Sequence, residues 1–145
     1  MTIRPATEAD RDAVVVMCQH FLAGSGYAYM GPSDPMLLGI NFDLCQEHGT
    51  VLVADSGTEL WGFIALFAQP HPYTGERYAA EQAWWVEPAV RRGRVGPQLL
   101  QAAEEWCRSN SIHMIQMVAP VDGDVGRFYH RLGYHALETA FFKRL

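Results

Sequence analysis

The chain has 145 residues, enough for one hydrophobic core and too few for two domains, and its 49% hydrophobic and 19% charged residues are an ordinary balance for a globular protein. The net charge of −5 argues against a general nucleic-acid binder, and the opening MTIRPATEADRD carries acids where a signal peptide needs basic and then apolar residues. The longest apolar runs fall far short of the roughly 20 residues of a membrane span. Cys18, Cys45 and Cys107 are odd in number and lack metal-ligand spacing, so a reduced, cytoplasmic setting and no metal are expected. Residues 1–60 carry −6 and residues 61–145 carry +1, with Arg91, Arg92 and Arg94 crowded together. An acidic part beside a local basic loop suits a cationic partner and an anionic one.

In chain order, Thr2–Pro5 reads as a short strand. Thr7 with Asp10 three residues on forms a variant capping box, and Val14, Met17, Cys18 and Phe21 follow at helical spacing until Gly24-Ser25-Gly26. Asp34-Pro35 starts a second helix, with Leu37, Ile40, Leu44 and Cys45 on one face and Gly49 as its stop. Val51–Ala54 and Leu60–Ala68 read as a β-hairpin, residues 69–76 as a loop with two prolines, and Tyr78–Val86 as a long strand closed by Glu87-Pro88. Val95–Asn110 is the strongest helix, marked by Leu99, Leu100, Ala103, Trp106 and Cys107. Ile112–Val118 reads as a strand, Asp124–Leu132 as a helix, and the tail as one or two final strands. This order predicts a single α/β domain over residues 1–145, with a mixed sheet and helices on both faces.

The segment Val86-Glu87-Pro88-Ala89-Val90-Arg91-Arg92-Gly93-Arg94-Val95-Gly96 leaves a long strand and enters that strongest helix. Such a turn aims unpaired main-chain N–H groups and the positive helix end at one place, which favours a phosphate. The Gly-Lys-Ser/Thr ending of a P-loop and the G-x-G-x-x-G of a dinucleotide loop are both absent. The segment resembles the acetyl-CoA loop of the GNAT superfamily of N-acetyltransferases, whose pattern is Gln or Arg, two free positions, Gly, one free position, then Gly or Ala, preceded by Val-x-Pro. Val86, Pro88, Arg91, Val95 and Gly96 match; Arg94 stands where the first Gly belongs, Gly93 precedes it by one, and Pro97 removes an N–H from the helix start. The later stretch Gly126-Arg127-Phe128-Tyr129-His130-Arg131-Leu132-Gly133-Tyr134 resembles the family's second signature, in which a Tyr faces the coenzyme sulfur. Tyr129 is the matching position, whereas Asp122 and Val125 replace the usual Asn and small residue.

The resemblance implies the GNAT fold, a mostly antiparallel central sheet of six to seven strands, and an acyltransferase moving the acetyl group of acetyl-CoA to an amine. It implies coenzyme contacts from Trp84, Val86, Arg91, Arg92, Gly93, Arg94, Val95, Gly96, Asp122 and Tyr129, and a general-acid role for Tyr129. An alkylamine with a pKa of about 10.4 is only on the order of a thousandth neutral at pH 7, so a base must take its proton before attack. Glu81 is the first candidate, with His71, Asp122 and His113 as the others. The parity of Glu81 differs from that of Val86, so it reaches the same face only if a bulge re-aims it. Tyr27, Tyr29, His71 and Tyr73 are candidates for the acceptor wall, where aromatics beside carboxylates suit a cationic amine. The acceptor stays open among a small amine, a protein lysine, a peptide N-terminus and an amino-modified nucleobase. A homodimer and a non-catalytic acyl-CoA-binding protein of the same fold remain compatible with the sequence.

Overall fold

Five strands line up in sequential order in one sheet in the computed structural model, which describes residues 1–145. They are β1 (Thr2–Pro5), β2 (Gly49–Asp55), β3 (Leu60–Pro70), β4 (Arg77–Val86) and β5 (Met114–Gln116). The first four pair antiparallel, and β5 joins β4 in parallel. The α/β character, the mixed sheet and its mostly antiparallel pairing agree with expectation; the strand count does not. There are five strands rather than six to seven, because residues 135–145 join no ladder. A strand persists only where a neighbour takes its main-chain groups. Here the tail bonds elsewhere: Arg144 N donates to the Tyr29 hydroxyl at 3.1 Å, and its guanidinium donates to Met30 O at 2.8 Å. Leu137 and Phe141 are left more than nine-tenths exposed.

Two helices cover each face. Helices α1 (Arg11–Ala23) and α2 (Pro35–His48) lie on one side, where Val14, Met17, Phe42 and Cys45 pack with Val51, Val53, Phe63 and Ala83. Helices α3 (Val95–Ser109) and α4 (Val125–Arg131) lie on the other, where Leu99, Leu100, Ala103, Cys107 and Tyr129 pack with Leu52, Ile64, Leu66, Ala79 and Val86. Each fully buried Leu or Ile there contributes roughly 1.5–3 kcal/mol. No helix is long and apolar enough to cross a membrane.

Asp34 caps α2 by accepting from Met36 N at 2.9 Å, with Pro35 at the first helical position. The buried side of α2 is Gly39, Phe42 and Cys45; Leu37, Ile40 and Leu44 are exposed, so only Cys45 of the expected face is buried. Apolar residues run most of the way round this helix, and periodicity alone selects no side. The packing of Phe42 and Cys45 on Val51, Val53 and Phe63 does. Arg11 pairs with Asp43 through two 2.8 Å bonds and lies so close over Gly39 that a Cβ there would meet its guanidinium at 2.6 Å.

The feature that builds the site is in β4. Ala65 pairs with Ala83 but Leu66 pairs with Glu81, so Gln82 is an extra, exposed residue, a β-bulge. Ala79 lies on the α3 side before the bulge, and Trp84 and Val86 lie on that same side after it. The bulge therefore re-aims Glu81 to the face of Trp84 and Val86. β4 also pairs with β5 only over Tyr78–Ala80, so the two strands part at Glu81 and open a cleft in the sheet.

Candidate active site

The turn from β4 into α3 presents main-chain donors. The N–H groups of Arg92, Arg94, Val95 and Gly96 have no acceptor within the chain, and Val95 and Gly96 are buried. The first turn of α3 carries no acid, and Arg92 and Arg94 are exposed and form no ion pair. Unpaired N–H groups, a helix N-terminus and two free guanidinium groups are together an arrangement that suits an anion. A depression of about 340 Å³ beside it is lined by Met1, Trp61, Val90, Arg92, Arg94 and Val95, among others.

Arg91 is differently placed. Its Nε and Nη2 donate to Val86 O at 3.1 and 2.9 Å, and its guanidinium lies 4.5 Å from the centre of the Trp85 ring. It thus fixes the strand-to-turn corner and occupies the Val86 carbonyl. Gly93 belongs to the same turn, its N–H donating to Val90 O.

At the opening of β4 from β5 two reactive groups share one peptide. Val118 N donates to Glu81 Oε2 at 3.0 Å, and the Tyr129 hydroxyl donates to Val118 O at 3.3 Å and stands beside the Glu81 carboxyl. Burial raises the Glu81 carboxyl from 4.5 to about 7, although the Val118 N–H and the Tyr129 hydroxyl each favour its anion. Burial, and after it the Glu81 charge, hold the Tyr129 phenol well above its ordinary value. Tyr129 is only 6% exposed, flanked by Trp84, Phe128 and Tyr134. Tyr134 is fixed in turn by a 2.8 Å bond to Glu104 on α3. A carboxyl near pH 7 beside a protonated phenol is a pair able to take a proton at one atom and supply one at another.

The structure unites Glu81, Trp84, Val86 and Tyr129 along the cleft, with Arg91, Arg92, Gly93, Arg94, Val95 and Gly96 at one end of it. The other sequence candidates lie apart. Asp122 is exposed in the bend before α4 and makes no hydrogen bond. Tyr27 and Tyr29 sit on a 3-10 turn, Gly26–Met30, where Tyr27 packs on Phe21 and Phe142 and Tyr29 accepts from Arg144 N. His71 stacks edge-on with Tyr73 and Tyr78 at the tip of the β3–β4 hairpin. No hydrogen bond or ring contact joins these four residues to Glu81 or Tyr129. Val118 has no chemical side chain and was invisible to motif reasoning, since only its main chain acts. No group of His, Cys, Asp and Glu is placed to hold a metal ion.

The model of the "Acetyltransferase (GNAT) family" matches residues 17–134. The chain belongs to the GNAT acetyltransferase family. That span takes in the bulged strand, the turn before α3 and Tyr129, and the family indicates an acyltransferase. No protein among the curated sequences matches the chain. Among solved structures, a transcriptional regulator from Bacillus halodurans is 26% identical, with each chain 99% covered and a TM-score of 0.78. The aminoglycoside antibiotic 6'-N-acetyltransferase of Acinetobacter haemolyticus is 17% identical, with 100% of this chain and 98% of that one covered and a TM-score of 0.75. AAC(6')-Iy in complex with the bisubstrate analogue CoA-S-monomethyl-acetylneamine is also 17% identical, with 99% and 97% covered and a TM-score of 0.77. At these identities the last two share the GNAT fold with this chain.

Proposed function

We propose that this GNAT protein is an N-acetyltransferase that moves the acetyl group of acetyl-CoA to a primary amine by direct attack in a ternary complex. The observation that carries the reading is the bulge at Gln82, which turns Glu81 onto the face of Tyr129. The residues present also fit the coenzyme. The buried N–H groups of Val95 and Gly96 lack an acceptor, as does the indole N–H of Trp84, and a Cβ on Gly96 would stand in contact with the Trp84 ring at 3.4 Å. Orphaned donors beside a glycine cradle suit a ligand bearing phosphate and carbonyl oxygens.

When bound, acetyl-CoA supplies a thioester whose acyl carbon an amine nitrogen can attack, with a thiolate as leaving group. The N–H groups of Arg92, Arg94, Val95 and Gly96, with the Arg92 and Arg94 guanidiniums, would hold the diphosphate. Arg91 keeps the corner rigid by its grip on Val86 O. Glu81, ionised over much of its population at neutral pH, accepts the ammonium proton and so makes the amine nucleophilic. Burial does most to raise the Tyr129 phenol; once Glu81 is neutral the added effect of its charge is gone, and the phenol becomes a better donor toward the sulfur. Val118 holds both groups in register during this exchange.

The acceptor side is defined more loosely. The net charge of −6 on residues 1–60 favours a cationic amine. The test is thiol release from acetyl-CoA against a panel of aminoglycosides, alkylamines, lysine peptides, peptide N-termini and amino-modified nucleobases. Release with at least one amine is expected. Tight CoA binding with no release from any acceptor would instead make this a non-catalytic acyl-CoA-binding protein.

A further inference from the structure

Trp84 Nε1 is the one buried side-chain donor in the protein that finds no acceptor. A buried N–H left without a partner is unfavourable, and a Phe at this position would carry no such donor. The ring lies two residues past the bulge, with Tyr129 at 6.1 Å and Phe128 at 6.4 Å between ring centres. Its opposite edge meets α3, since a Cβ on Gly96 would stand 3.4 Å from Cζ2. Cζ2 and Nε1 are both bonded to Cε2, so the edge turned toward the start of α3 is the edge that carries the N–H. There the buried Gly96 N–H also lacks an acceptor. The Trp84 ring thus lies between the first turn of α3 and the phenol of Tyr129, with its unpaired N–H on the edge nearer α3.

We infer that Trp84 is a coenzyme-binding side chain, whose indole N–H donates a hydrogen bond to an oxygen of the pantetheine arm between the diphosphate at α3 and the thioester at Tyr129. The inference rests on the acetyl-CoA reading and adds a side-chain contact to the main-chain contacts expected of β4. It gives the unsatisfied Trp84 N–H a partner.

The test is an NMR titration of 15N-labelled protein. The four tryptophans give four indole N–H signals, and Trp84→Phe removes one and so assigns it. CoA should move that signal downfield, whereas adenosine 3′-phosphate 5′-diphosphate, which lacks the pantetheine arm, should leave it in place. By calorimetry Trp84→Phe should weaken CoA binding about 5- to 10-fold, the value of one hydrogen bond, and leave the nucleotide's affinity unchanged. An indole signal unmoved by bound CoA, or equal losses for both ligands in the variant, would overturn the inference while leaving the acetyl-CoA reading standing. Failure of the wild-type protein to bind CoA at all would overturn both.

Discussion

Glutamine at position 81 removes the carboxylate while keeping the size of the side chain and an oxygen to accept from Val118 N. If Glu81 takes the proton of the attacking amine, kcat/KM of the wild-type enzyme should rise with pH to a plateau, with an apparent pKa near 7. Glu81→Gln should lower the plateau by about 10²- to 10⁴-fold and abolish that limb. The same displacement has a stability consequence of fixed sign. The folded-state pKa lies above the ordinary 4.5, so between pH 4.5 and about 7 the folded protein holds a proton that the unfolded chain has lost. Wild-type stability therefore falls as pH rises through that window, and Glu81→Gln does not share the fall. At about 1.4 kcal/mol per tenfold change in proton affinity the upper limit is about 3 kcal/mol; for a half-buried side chain, solvent screening reduces it to about 1–2 kcal/mol. Urea unfolding at pH 4.5 and pH 8, beside rates of thiol release from pH 5.5 to 9, measures both effects. A variant that keeps wild-type kcat/KM with the limb near pH 7 intact would refute the base assignment.

Three further perturbations separate chemistry, coenzyme binding and folding. Tyr129→Phe should cut turnover about 100-fold, as loss of a general acid does, while the Kd for CoA changes less than about 3-fold in calorimetry. Arg91→Ala should lower Tm by about 6 °C, since it removes a charged donor to Val86 O and the contact with Trp85, whereas Arg94→Ala should leave the melting curve in place and weaken CoA about 5-fold. Asp10 accepts two bonds from Arg4 and two from Thr7, which hold its carboxyl well below its ordinary range. Its stabilisation is present above the unfolded pKa near 3.8 and fades as pH falls below it, so Asp10→Asn should cost about 2 kcal/mol at pH 7 and flatten the acid limb of Tm against pH.

Much of this architecture was legible in the sequence because its signals are local. The 2-residue and 3.6-residue periods and the caps at Thr7 and Asp34 are each written within one segment. So is the Val86–Gly96 turn, whose spacing carries the family resemblance together with that around Tyr129. What escaped depends on three-dimensional pairing, most of it between residues distant in the chain. Nothing in Glu81-Gln82-Ala83 marks a bulge; it appears only when β4 is laid against Ala65 and Leu66 of β3. Arg91 matches the motif position but spends its donors on Val86 O. The apolar pattern of the tail is compatible with a strand, yet a strand needs an edge, and Arg144 finds its partners on the Gly26–Met30 turn instead. The buried side of α2 is set by the packing of Phe42 and Cys45 on Val51, Val53 and Phe63, partners that the helix's own periodicity does not reveal.

The measurement that tests the account most directly is calorimetric titration of the folded protein with CoA and with its acetyl ester. Binding of one molecule per chain, weakened by rising salt and largely lost in Gly96→Val, where the new side chain would crowd the Trp84 ring, is the predicted result. Absence of heat from either ligand, in protein whose melting curve shows it folded, would contradict the claim that the turn before α3 is built to hold the coenzyme.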